Sequence, residues 1–392
     1  MASALEGIRI LDLTRFLPFG YCTMLLADLG ADVLKIEEPK IGDEQRQHLP
    51  KLKKEGVVFL LVNRNKKSMK LNLKTVQGVK ILHQLVEKYD VLFESFRPGT
   101  MDRLGLGYDN LKEINPRLIY CSATGYGQDG PYKNSPGHDI NYIGLTGILG
   151  KTGRYTIGHP VVPGVLIADM ASGLFSAFAI LAGLMARERT GKGQYIDLSM
   201  IDCMVSFNTQ HIANYIAGFG EWQEGALGLT GETAYYNVYA TKDGKYLCLG
   251  NLEERFWENL CKIIGRQDLI EYQFSGAQKQ KEIMRELSSI FLGRTRDEWL
   301  ELMRDEDICV GPVNSVEEVL ADPHILHRGM ILEVEHPVEG KIPQIGFPIK
   351  FSETPGDIRT PAPTFGQHTD QILNELGYRA WEIEGLKESG II

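Results

Sequence analysis

The chain has 392 residues, of which 43% are hydrophobic and 24% charged, with a formal net charge of −9. That length exceeds what one core usually holds, so two domains are expected. The acidic balance excludes a general nucleic-acid binder, which would carry a basic surface, but leaves room for a local basic pocket.

The N-terminal stretch MASALEGIRILDL has no basic region followed by a long apolar run, so no secretory signal is expected. Residues 8–13 (IRILDL) read as a strand, residues 21–29 carry helical periodicity, and residues 32–36 read as a second strand. Gly30 falls where a helix C-cap is expected. The pattern repeats with a helix over 75–88, a strand at 91–93, a helix near Leu111 and a strand at 118–122. Such alternation predicts an α/β fold with a parallel sheet covered on both faces. No GxGxxG follows the first strand, so the dinucleotide fingerprint is missing.

Residues 125–163 are rich in Gly, Pro, Tyr and Asn, and a long irregular stretch inside a domain is usually functional. Asp169 then opens the apolar run MASGLFSAFAILAGLMA over 170–186. That run is short for a membrane span and is followed by Arg187, Glu188 and Arg189, so a buried core helix is expected. A turn at 190–194, a strand at 195–200 and a helix over 201–216 follow, and the loop-like 217–231 marks a domain boundary. Two alternating runs joined by Lys242, Asp243 and Gly244 read as a hairpin. Helices over 256–264, 279–291 and 296–304 complete a smaller α+β unit. After Pro323 come short strands and many prolines, read as a segment that returns to the first domain. The expected organisation is a large α/β domain over 1–216, a small α+β domain over 217–325 and a returning segment over 326–392.

Asp169 is the leading candidate for chemistry. An aspartate at a helix start can serve simply as an N-cap. It can also act as base or nucleophile, with the helix N–H groups and dipole aimed at a developing oxyanion. His138, in PGHDINY, lies shortly before it; a loop histidine is often only hydrogen-bonded, but His138 and Asp169 converging on one carbon would make a two-base pair. Asp139 and Tyr142 on the same loop are placed to orient the imidazole. Glu253 in GNLEERFW is either a third titratable group or a first-turn glutamate favoured by the dipole. Among Arg64, Lys66, Lys67, Arg97 and Arg103, the arginine of FRPG follows the strand at 91–93, where ligands of open α/β sheets bind and where an arginine suits phosphate. The alternative is a solvated charged face, above all for Lys66 and Lys67. No metal site is expected: His324 and His327 have no third ligand, and HExxH is absent. The cysteines Cys22, Cys121, Cys203, Cys248, Cys261 and Cys309 form no CxxC pair, which suits reduced thiols in the cytoplasm.

The segments LLADLGADVLKIEEP, NRNKKSMKLNL, FRPGTMDRLGLGY, INPRLIYCSATGYGQDGPY, PGHDINY, LIADMASG and ERTGKGQYIDLSM together resemble the family III CoA-transferase superfamily, over nearly the whole chain. The resemblance implies a Rossmann-like large domain, a smaller α+β domain and an interlocked homodimer. It implies acyl-CoA thioester substrates, with coenzyme A entering as part of the substrate and no tightly bound cofactor, no nucleic acid and no membrane. Arg64, Arg97 and Arg103 would contact the CoA phosphates, and Met101 would pack near the adenine. Two chemistries follow from it. In the transferases, the aspartate matching Asp169 attacks the thioester, and CoA passes through an aspartyl-CoA thioester to a second acid. In the α-methylacyl-CoA racemases, that aspartate and the GHD histidine, here His138, exchange the α-proton, with the residue matching Glu253 near the histidine and helix N–H groups on the enolate oxygen. The intact GHDINY places the expectation on a 2-methylacyl-CoA racemase, with the transferase as the alternative and a non-catalytic CoA binder as a third class.

Overall fold

The computed structural model describes residues 3–153, 159–218 and 229–392. The chain divides into two compact units: one of residues 1–145, 165–206 and 323–392, the other of 146–164 and 207–322. The second unit thus takes in the latter part of the glycine-rich stretch and resumes at residue 207, ten residues before the expected boundary.

The first unit is built on six parallel strands: β1 (Arg9–Leu13), β2 (Asp32–Glu37), β3 (Lys66–Lys70), β4 (Val91–Glu94), β5 (Ile119–Thr124) and β6 (Gln194–Ser199). Their order is β3-β2-β1-β4-β5-β6, so the chain reverses direction across the sheet between β1 and β4. β1 and β4 are apolar on both faces because both faces are covered: Ile10, Leu11, Val91, Leu92 and Phe93 are fully buried. One covering layer includes the Val76–Val86 helix and two helices of the C-terminal segment, Thr369–Glu375 and Ala380–Glu388; Ile372, Leu373, Ile383 and Leu386 complete that core. The first helix, Phe16–Asp28, starts five residues before its periodicity becomes regular; Pro18 sits in its first turn, where its missing N–H costs no intrahelical bond. Gly30, past its end, takes a positive φ of 106°.

β3 was hidden in the sequence because KKSMK is mostly polar. Its lysines are not a solvated face. Lys66 is buried, its ammonium 2.7 Å from Asn63, 3.0 Å from the Gly20 carbonyl and 3.4 Å from Asp12. Burial pulls Lys66 down to about 8. The same burial would push Asp12 up, but Lys35 and Lys66 beside it bring it down to about 2. Lys67 pairs with Asp32 at 2.8 Å.

The 24-residue helix Ile167–Thr190 packs against the first helix. Gly173 permits the approach: a Cβ there would lie 2.4 Å from the Pro18 carbonyl oxygen. The helix is long and apolar enough to cross a membrane by composition, yet half of its most apolar window is buried within the protein.

The second unit carries an antiparallel sheet of β7 (Tyr236–Ala240), β8 (Tyr246–Gly250) and β9 (Val310–Pro312). The expected hairpin joins β7 to β8, with Gly244 at φ 76°. Trp257, Ile283, Leu287, Phe291 and Trp299 form its core. A further hairpin, β10 (Ile331–His336) with β11 (Gly340–Ile345), belongs to the first unit.

Candidate active site

Asp169 is the third residue of the Ile167–Thr190 helix, and the N-cap position, Leu166, offers no side-chain cap. The cap comes from 30 residues upstream in the chain. Asp139 Oδ2 accepts N–H bonds from Ala168 at 2.7 Å and Asp169 at 3.2 Å. Asp169 is therefore not the cap of its own helix, and its side chain remains half-buried. Burial, with the Asp139 charge adding to it, pushes the Asp169 carboxyl up to about 7.

This arrangement corrects two expectations. Asp139 does not orient an imidazole; it holds the start of the Asp169 helix. The helix N–H groups expected to face an oxyanion are engaged: those of Ala168 and Asp169 bond Asp139, and that of Met170 bonds the Leu166 carbonyl at 3.0 Å.

The glycine-rich stretch contains a short helix, Asp139–Leu145. His138 begins it through its main chain: its carbonyl accepts from Asn141 and Tyr142, and its N–H donates to Asn141 Oδ1 at 3.0 Å. The imidazole is exposed. Tyr142 likewise does not orient it, because its hydroxyl donates to the Gly137 carbonyl at 2.7 Å. The Tyr142 ring packs edge-on to Tyr126, at 5.3 Å between centroids. Burial, then the nearby Tyr126 and the Asp169 charge, push Tyr142 up to about 12. Gly125 and Gly137 make room for this ring; a Cβ at either would come within 2.4 Å and 2.8 Å of Tyr142 atoms. Asp139, Tyr142 and Asp169 are thus brought together around one helix start.

Glu253 lies in the second unit, at the N-cap of the Glu254–Ile263 helix, exposed and making no side-chain cap bond.

A cavity of about 270 Å³ opens at the carboxyl ends of β1 to β4, where the strand order reverses. Ligands of open α/β sheets bind at this switch point. Ile36, Leu71, Phe96 and Leu104 supply apolar walls, and Arg15 and Lys74 supply cations. The acidic residues at the end of β2 are engaged elsewhere. Glu37 bonds Arg46 and Ser68, and Glu38 accepts the N–H groups of Lys40 and Ile41. The Glu37 carboxylate is thereby occupied on both oxygens.

The expected phosphate contacts separate. Arg64 is almost fully buried and paired with Asp28 at 2.7 Å, with Gln344 taking a further N–H at 3.1 Å. No phosphate reaches it without breaking that pair. Met101 is buried and does not line the switch-point cavity; with Arg97 it lines a separate one beside β4 and β5. Arg97 and Arg103 are exposed, and Arg103 donates to Thr100, a wall residue of that cavity. Arg15, Leu71 and Lys74 were missed. Leu71 and Lys74 follow β3, and with that strand unread the rule that ligands bind at strand ends pointed only to the arginine after β4.

The fold is an α/β one with a cavity at a sheet switch point and, on a separate element, a helix-borne carboxylate. The chain belongs to CoA-transferase family III, whose model matches residues 5–369. It is 40% identical over 395 residues to the succinyl-CoA:glutarate CoA-transferase of Mus musculus, covering 99% of this chain and 90% of the relative. It is 32% identical over 418 residues to the formyl-CoA:oxalate CoA-transferase of Escherichia coli O157:H7, over the full length of both. Among solved structures, a CAIB/BAIF family protein from Brucella suis superposes with a TM-score of 0.84 at 32% identity, covering 96% of this chain and all of that one. These named relatives are transferases, so the expectation of the racemase branch gives way to the alternative.

Proposed function

We propose that this enzyme moves coenzyme A between two carboxylic acids through a covalent adduct on Asp169, and that the acceptor is a dicarboxylate. The observation that supports it is a half-buried aspartate in the first turn of a helix whose cap is another residue. The names of the relatives supply the acceptor class: glutarate beside succinyl-CoA, and oxalate beside formyl-CoA.

The ionised Asp169 attacks the thioester carbonyl carbon, the C–S bond breaks, and CoA leaves as thiolate. The thiolate then attacks the Asp169 carbonyl of the mixed anhydride and releases the donor acid, leaving an aspartyl-CoA thioester. The acceptor carboxylate reverses these steps: it displaces the thiolate, which takes the acyl group and frees Asp169. A carboxyl near 7 is a stronger nucleophile when ionised than an ordinary one and remains substantially ionised at neutral pH. The switch-point cavity, with Arg15 and Lys74 on its wall, suits the nucleotide end of CoA. His138 is then an exposed wall residue rather than a proton carrier.

The test is a mixture of succinyl-CoA and glutarate in deuterium oxide. Glutaryl-CoA should form, hydroxylamine should trap an Asp169 adduct visible by mass spectrometry, and Asp169→Ala should abolish both. Exchange of the α-proton without transfer would sink this reading.

We also infer that two copies of the chain associate. Leu174, Phe178 and Met185 are exposed on one helix, at 49%, 69% and 66%, and a second copy would cover them. A monomeric mass by light scattering at micromolar concentration would contradict it.

A further inference from the structure

A second cavity, of about 230 Å³, lies in the first unit beside the ends of β4, β5 and β6. It is separate from the switch-point cavity, and of the residues expected at the CoA nucleotide Arg97 and Met101 line it. Glu94, Asp102, Tyr108, Tyr120, Tyr195 and Gln128 line it. The three tyrosine rings form one cluster, with centroids 5.6 to 6.0 Å apart. Glu94 is nearly fully buried at the end of β4; its carboxylate accepts from the Ser122 hydroxyl and from the Phe96 N–H at 2.7 Å. Gln128 donates to Ser122 at 2.6 Å and so closes the polar side. Asp102 lines the same space from the short helix Thr100–Arg103. Among the lining residues the one cation, Arg97, is exposed.

Aromatic rings and carboxyl groups around one small space are the chemistry of cation recognition: the ring faces are negative, and the acids supply the counter-charge. We propose that this cavity binds a small organic ammonium ion, with its charge toward Glu94 and Asp102 and its carbon against the tyrosine rings. Burial pushes Glu94 up to about 7, against its bonds from Ser122 and Phe96 and aided by the Asp102 charge. An arriving cation favours the ionised form of Glu94, so binding at neutral pH releases a proton.

Choline chloride is the probe, titrated into the full-length protein by calorimetry and compared with sodium chloride at equal ionic strength. Glycine betaine, which adds a carboxylate to the same cation, is the counter-probe. Saturable choline binding is expected, with betaine and sodium at least tenfold weaker. Tyr195→Ala and Asp102→Asn, both at accessible positions, should each weaken choline at least tenfold with the melting temperature in the absence of ligand little changed. Glu94→Gln serves as a third variant if it folds. No saturable binding, betaine binding as well as choline, or choline binding indifferent to Tyr195→Ala and Asp102→Asn would each overturn the proposal. None of these results bears on whether Asp169 carries CoA.

Discussion

The Asp139 carboxylate caps the helix that bears Asp169, accepting N–H bonds from Ala168 at 2.7 Å and from Asp169 itself at 3.2 Å. One acid thus anchors the other's backbone while its charge opposes ionisation of the other's side chain. Structural and electrostatic roles are joined in a single group, and substitution can separate them.

Asp139→Asn keeps an oxygen acceptor for the helix but removes the negative charge. The Asp169 carboxyl should then fall from about 7, and the acid limb of the kcat/KM profile should move to lower pH. Asp139→Ala should in addition lose the cap, at about 1 kcal/mol of stability. An unmoved acid limb in Asp139→Asn would show that burial alone sets the carboxyl.

The second prediction concerns stability. A carboxyl raised from 3.8 to about 7 in the folded state favours folding below its unfolded value. That contribution is lost as pH rises through about 7. Asp169→Asn removes the ionisable group, so its melting temperature should exceed that of the native chain at pH 8 by more than at pH 4. The gain should level off above the folded value, and calorimetric scans across pH 4 to 9 would show it.

Arg64→Ala leaves Asp28 buried without its partner and should cost about 3–5 kcal/mol in denaturant melts. Arg103→Ala, at an exposed position, should change stability by no more than about 0.5 kcal/mol. It should instead raise KM for the CoA thioester. If Arg64→Ala proved as mild as Arg103→Ala, the buried pair with Asp28 would not be what holds that arginine.

Gly125→Ala would place a methyl 2.4 Å from the Tyr142 hydroxyl oxygen. A loss of about 1–3 kcal/mol is expected, with the ring displaced. In a Tyr142→Ala background the same change should cost far less, since its clash partner is gone. Additive losses in the double variant would mean that the ring is not what the methyl meets.

The strand and helix alternation of the first unit was legible because β1, β2, β4 and β5 are buried on both faces and read as apolar runs. β3 was not, since Lys66 is buried by a polar network that no periodicity reveals. The Asp139–Leu145 helix was masked by the glycines around it, two of which make room for the Tyr142 ring rather than mark irregular chain. Asp169, Asp139 and Tyr142 were singled out from the sequence, and the structure brings them together around one helix start. The roles of Asp139 and Tyr142 were not legible in the sequence, because a cap supplied across 30 residues and a hydroxyl bonded to its own loop are tertiary facts. Arg64 misled for the same reason: a buried pair and a phosphate contact use the same residue type.

Gly173 brings the helix of Asp169 against Pro18 with no space for even a methyl group. At that point the two helices leave no room for a side chain between them, so the main chain that carries Asp169 is packed directly on the first helix. In the proposed transfer, the main chain behind Asp169 is thus braced, and the travel that the chemistry requires falls to the pantetheine arm and to side-chain rotation at Asp169.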